Sequence, residues 1–174
     1  SYLFIFATVL FVASCGDISS SQNGEDSDDE NISEEDQLNN KIVFTKENSD
    51  GGSIIFIMDP KGNNTNQLTE NTDWNGFADI SPNATKIAFH RLGEGEPEQI
   101  YTMNIDGNNK EQVNNSEFVD MIPVWSPDGE KIAFTREDDT NGRNIYIMDA
   151  DGSNVQQITD MEGDETASDW SSDG

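Results

Sequence analysis

The sequence is poor in the residues from which catalytic and metal centres are usually built. In 174 residues it has one cysteine, Cys15, and one histidine, His90. A single cysteine excludes an intrachain disulfide, and one histidine offers no imidazole cluster for zinc or copper. His90 follows a β-rich run, so surface placement or packing between repeats is expected of it. Basic residues are also scarce: 9 Lys and Arg stand against 35 Asp and Glu, a formal charge of −26. So acidic a chain repels phosphate backbones, which argues against nucleic acid or an anionic membrane face as partner. No Gly-x-Ser-x-Gly elbow occurs. Asp149 to Asn154 alternates carboxylates as a calcium ligand set would, but the Gly comes too early for an EF-hand and the bidentate Glu is missing. A β-turn accounts for the same residues. No catalytic residue, cofactor or metal site is expected, and the chain is read as not an enzyme.

Long apolar runs are absent apart from Tyr2 to Ala13, YLFIFATVLFVA. A bilayer-spanning helix needs about 20 residues, so this run fits the hydrophobic core of an export signal. Ser1 is not an initiator Met and no base precedes the run, so the start of the gene product is expected to be missing. From Gly16 to Asn40 there are nine acids, no base, and only Ile18, Ile32 and Leu38 as large aliphatics. Such a tract cannot offset chain entropy by burial and reads as a disordered, self-repelling linker. Every Lys and Arg lies from Lys41 onward. The chain therefore divides into a signal (1–15), an acidic linker (16–40) and a folded part (41–174).

The folded part repeats. Lys41-Ile42-Val43-Phe44, Lys86-Ile87-Ala88-Phe89 and Lys131-Ile132-Ala133-Phe134 begin 45 residues apart, as do Met58, Met103 and Met148, and Ile80, Trp125 and Trp170. Three markers on one beat define repeats 41–85, 86–130 and 131–174, a period that fits a four-stranded propeller blade. Within a period, the Ser126-Pro127-Asp128-Gly129 turn pairs the strand ending at Trp125 with the one from Lys131. An alternating strand such as Asn144 to Met148 follows a polar loop. It ends in a Gly turn (Gly62, Gly107 or Gly152) before a polar edge strand. Inner strands are expected near Phe77 to Ile80, Met121 to Trp125 and Thr166 to Trp170, with the first repeat lacking its own. The fold class is all-β: about three four-stranded blades of a truncated, open propeller ring, expected to continue for several blades in the intact protein. Trp125 and Trp170 share a slot and read as blade core. Trp74 and Phe118 lie outside the shared pattern, as recognition residues or as core.

The run Pro123-Val-Trp125-Ser-Pro-Asp-Gly129, Lys131-Ile-Ala-Phe134, Ile145-Tyr-Ile-Met-Asp149, Asp151-Gly152 and Gln157-Ile-Thr159 resembles the WD40-like propeller repeat of the TolB family. Separately, Val12-Ala13-Ser14-Cys15 resembles the bacterial lipobox, and a buried cysteine in an apolar helix is the alternative. The lipobox resemblance implies that Cys15 becomes an acylated N-terminus stably tethered to a membrane. Gly16 stands where that family's inner-membrane retention signal has Asp, which favours the outer membrane. The acidic tract resembles a surface-export signal as well as a plain spacer. Together these resemblances imply a non-catalytic cell-envelope lipoprotein whose propeller binds an envelope protein or glycan. The alternative is the propeller part of an enzyme, a polysaccharide lyase or hydrolase or a prolyl-oligopeptidase-type peptidase, with catalytic residues beyond residue 174.

Overall fold

The computed structural model describes residues 40–49, 51–70, 74–93, 95–138 and 142–174; the apolar segment, Cys15 and most of the acidic tract lie outside them. Every regular element among the described residues is a strand. The first blade holds β1 (Ile42–Glu47), β2 (Ser53–Met58) and β3 (Asn66–Gln67). The second holds β4 (Trp74–Ile80), β5 (Lys86–Leu92), β6 (Gln99–Asn104) and β7 (Glu111–Gln112). The third holds β8 (Val119–Trp125), β9 (Lys131–Asp138), β10 (Gly142–Asp149) and β11 (Gln156–Gln157). Each blade is an antiparallel meander, and the hairpins fall where the repeated turns place them.

β3, β7 and β11 are each two residues long, and their ladders are extended by side chains. Thr69 Oγ1, Asn114 Oδ1 and Thr159 Oγ1, 45 residues apart, accept from the amides of Ile55, Ile100 and Ile145 at 2.9, 2.7 and 2.9 Å. Gln67, Gln112 and Gln157 donate through Nε2 to the carbonyls of Thr69, Asn114 and Thr159 at 2.7 Å. An edge finished by side chains offers fewer free main-chain groups to a foreign strand.

The first two blades are joined into one sheet, but by a single parallel pair, Ser53 with Trp74. At the next two boundaries the same contact is one main-chain bond: Asp120 N to Glu98 O at 2.9 Å, and Glu165 N to Arg143 O at 2.8 Å. Adjacent blades thus touch through their backbones at one edge and otherwise pack face to face.

The apolar core lies between blades. Successive side chains on a strand point to opposite faces, and both faces here are covered, which is why the second strands read as continuous apolar runs. Ile55, Ile57 and Leu68 meet Ile87, Phe89 and Met103 at one boundary. Ala88 and Ile100 meet Trp125, Ile132, Phe134 and Met148 at the other. Leu68 lies under the Gly107 turn and Val113 under the Gly152 turn. Ile158, at the same position in the third blade, is 51% exposed.

One expected strand is not formed. Residues 166–170 have no ladder among the described residues. They still dock on the third blade: Ala167 N donates to Thr135 Oγ1 at 3.0 Å, and the half-buried Trp170 donates its Nε1 to Val124 O at 3.1 Å. Trp125 is fully core, as expected.

Candidate functional site

Strand alternation sends two kinds of connection to one edge of the blades. The described residues between second and third strands (48–49, 51–52, 93 and 95–98) and those between each outer strand and the next inner strand (68–70, 113–118 and 158–165) share that edge. The short turns 59–65, 81–85, 104–110, 126–130 and 150–155 share the other. Because the repeat fixes what the scaffold requires, side chains that depart from it on the loop-bearing edge are the candidates for function.

The largest departure is aromatic. Trp74, Phe77 and His90 occupy positions held in the third blade by Val119, Ile122 and Thr135. Trp74 stacks on the imidazole at 5.0 Å and 11°, and Phe77 meets it tilted by 37° at 5.3 Å. A β-bulge makes this possible: the β4–β5 register shifts between Gly76 and Asp79, and Phe77 has φ 46. A bulky residue at positive φ is unusual. The same shift recurs between Met121 and Val124, with Ile122 at φ 56, so this backbone belongs to the repeat and re-aims the inner strand.

His90 is 1% exposed. Its Nδ1 accepts from the amide of Ile122 in the third blade at 3.1 Å. Thr135 plays the same part towards Ala167, and both bonds join residues 32 apart. The single histidine is therefore a bolt between blades, the second of the two placements expected of it. With Nδ1 accepting, the neutral ring carries its proton on Nε2, which then offers a donor and no lone pair to a metal. No group of three His, Cys, Asp or Glu among the described residues is placed to hold a metal ion. Nε2 has no hydrogen bond, and Glu98 Oε2 lies 3.7 Å away. Burial raises the Glu98 pKa and the carboxylate of Glu137 adds to the rise, with Arg143 opposing.

Beside this cluster lies a buried ion pair. Arg136 donates from Nε and Nη2 to the two oxygens of Asp120 at 2.6 and 2.7 Å. Asp120 is fully buried and also accepts from Asn114 Nδ2 and, at 2.8 Å, from Ser116 Oγ, both on the loop leaving the second blade. The Arg136 guanidinium sits over the rings of Tyr146 (4.7 Å), Phe134 (5.5 Å) and Phe118 (5.5 Å). Gln99 Nε2 and Ser116 Oγ donate to Phe118 O at 2.8 and 3.1 Å, fixing the main chain beneath a ring that is 38% exposed.

Two groups at this boundary oppose each other in pH dependence. Burial lowers the His90 pKa to about 3 from its ordinary 6.5. The stability it contributes is present above 6.5 and is lost as pH falls towards 3. Asp79 Oδ2 accepts from Trp125 N at 2.7 Å, yet burial, aided by Asp169, raises its pKa from 3.8 to about 6. Its contribution is complete below 3.8 and is lost as pH rises through 6. Asp79→Asn keeps an acceptor for Trp125, so its melting temperature should exceed wild type at pH 7 and converge on it near pH 4. His90→Thr, which borrows the residue of the third blade, should flatten the acid limb below pH 6.5. Thermal melts across pH check both; a D79N profile parallel to wild type overturns the assignment.

Of the residues singled out from sequence, Cys15 lies outside the described residues. Trp74 and Phe118 fall on the loop-bearing edge, at the two boundaries of the second blade. Asp149 to Asn154 forms the turn: Asp149 receives Lys131 Nζ at 2.7 Å and Asn154 Nδ2 at 2.6 Å, and Asp151 receives the amide and hydroxyl of Ser153. Glu98, Asp120 and Arg136 were not anticipated. Two of them carried a signal, a change of residue at a fixed slot: Asp120 where the second blade has Asn75, and Glu98 where the third has Arg143; Arg136 stands where the second blade also has an arginine, Arg91.

A family model described as the TolB beta propeller domain matches residues 33–174. The chain belongs to the TolB beta propeller family. Among solved structures, putative TolB from Agrobacterium tumefaciens is 28% identical with TM-score 0.64, covering 71% of this chain and 46% of its own. TolB from Acinetobacter baumannii is 23% identical with TM-score 0.69, covering 79% and 35%. Puromycin hydrolase, at 11% identity and TM-score 0.55 over 72% and 22%, shares the fold alone. The chain thus spans less than half the length of these solved relatives. No curated protein matches it in sequence.

Proposed function

We propose that this TolB-type propeller is a non-catalytic binding scaffold of the bacterial cell envelope. In this reading it is held at the outer membrane by lipid on Cys15 and meets a protein or glycan with its loop-bearing edge. The observation that supports the scaffold reading most directly is what the polar groups of that edge already do. His90 Nδ1 and Asp120 Oδ2 are engaged in bonds across the blade boundary and Asp120 Oδ1 is held by Arg136, while Phe118, Glu96 and Glu117 are exposed. Groups so engaged serve as structure; general acid–base work needs them in reach of a substrate proton.

The test is a photo-crosslinking residue placed at Phe118 in cells, with Asn108 on the turn edge as control. A discrete adduct from position 118 and none from 108 is expected. No adduct from position 118, or turnover of a peptidyl chromogenic substrate or a polyuronate by the purified protein, overturns the scaffold reading. For the anchor, Cys15→Ser should release the protein from membranes, and mass spectrometry of the wild-type N-terminus should show acyl mass on cysteine; an unmodified Cys15 within a longer chain removes it.

A further inference from the structure

Charge is segregated between the two edges. Lys41, Lys61, Lys86, Lys110 and Lys131 all lie at strand starts or turns of the short-turn edge, among Asp59, Asp106, Asp128, Glu130, Asp149 and Asp151. The loop-bearing edge has, among the described residues, only Lys46, Arg91, Arg136 and Arg143 as bases. Arg136 is consumed by buried Asp120, and Arg143 pairs with Glu137 at 2.8 Å. Against them stand exposed Glu70, Glu96, Glu117, Asp160, Glu162 and Asp164. The second blade also exposes apolar side chains on this edge: Leu92, 42% exposed, and Phe118 on its braced main chain.

We propose that the loop-bearing edge is a docking surface for a basic polypeptide segment bearing its own apolar side chain. Phe118 and Leu92 give the apolar contacts, and Glu96, Glu98, Glu117 and Glu137 the counter-charges. The inference rests on the scaffold reading and narrows its partner from protein or glycan to cationic protein. A buried polar atom points the same way. His90 Nε2 is buried without a hydrogen bond, and the nearest carboxylate oxygen given for it, Glu98 Oε2, stands 3.7 Å away, too far to accept its proton. Burial and the Glu137 carboxylate both disfavour the charge on Glu98, and Arg143 opposes them. A lysine or arginine arriving between the two supplies the missing compensation. An acidic rim speeds and orients the encounter, while a pre-positioned ring limits the entropy lost on contact.

The experiment measures binding of fluorescent peptides to the full chain, kept soluble in neutral detergent, by anisotropy. The probes are a lysine–leucine peptide, a lysine–glycine peptide of equal charge, a glutamate–leucine peptide and a neutral oligosaccharide set. The lysine–leucine peptide should bind, the lysine–glycine peptide about tenfold more weakly, and the glutamate–leucine peptide not at all. Raising sodium chloride from about 50 to about 500 mM should weaken binding about tenfold or more. Phe118→Ser and the Glu117→Gln, Glu137→Gln pair should each weaken it at least about fivefold, whereas Lys61→Glu on the other edge should not; circular dichroism checks that each variant is folded. Equal affinity for the two lysine peptides, or indifference to Phe118→Ser, means diffuse charge attraction and overturns the proposal. Failure of every peptide also overturns it. Binding of a neutral oligosaccharide alone overturns the partner class and leaves the scaffold reading standing.

Discussion

Gly152→Ala is expected to cost more than about 4 kcal/mol of stability, among the largest effects one methyl group can have. A Cβ there would sit 1.6 Å from the carbonyl oxygen of Val113 and 2.6 Å from its carbon, main-chain atoms of the preceding blade with no rotamer by which to withdraw. The repeat supplies its own controls. Gly62, Gly107 and Gly152 hold the same turn position at φ 79, 85 and 85, so alanine meets the same left-handed backbone in all three. What differs is the space. At Gly62 nothing lies within 4 Å, and at Gly107 the new atom would be 3.2 Å from Leu68. Gly62→Ala should therefore cost only the conformational term, about 1–2 kcal/mol, with Gly107→Ala between the two. Urea midpoints of the three variants check the order. If Gly62→Ala is as damaging as Gly152→Ala, contact between blades is not what selects glycine.

Asp120→Ala should come next, at about 3–5 kcal/mol, because it strands a guanidinium among three ring faces and removes the acceptor of Asn114 and Ser116. Arg136→Met should cost a similar amount, since it leaves a fully buried carboxylate without its counter-ion. The double variant should lose less than the sum of the two, the excess measuring the pair itself. Salt separates this pair from the exposed one between Arg143 and Glu137. Raising ionic strength should leave the cost of Asp120→Ala unchanged and erase any cost of Glu137→Gln. Additive losses in the double variant would mean that the two side chains act separately.

The blade pattern was legible because its signals are local. Ser126-Pro127-Asp128-Gly129 is a turn by its own chemistry, and the apolar run from Ile132 needs only two buried faces to explain it. What joins one blade to the next was not legible. The bolts link residues 32 or 46 apart, and their aim depends on bulges at Phe77 and Ile122, residues whose types give no sign of a positive φ. The sequence showed His90 as a lone histidine, either at the surface or packed between repeats. Its tautomer and its approach to Glu98 depend on a neighbouring blade's amide. Residues 166–170 carry the same inner-strand signal as Met121 to Trp125 without forming a strand, because a ladder requires a partner that no local signal can provide.

The constant offset of the bolts bears on how genes for such chains can change length. An unequal recombination that adds or removes 45 codons hands the amide of the next inner strand an acceptor 32 residues back, so that stitch is kept. Even the histidine slot tolerates the exchange, since Thr135 already performs its task one unit later. An insertion of any other size leaves an amide facing the wrong residue. Growth by whole units is thus the path that this wiring leaves open to mutation.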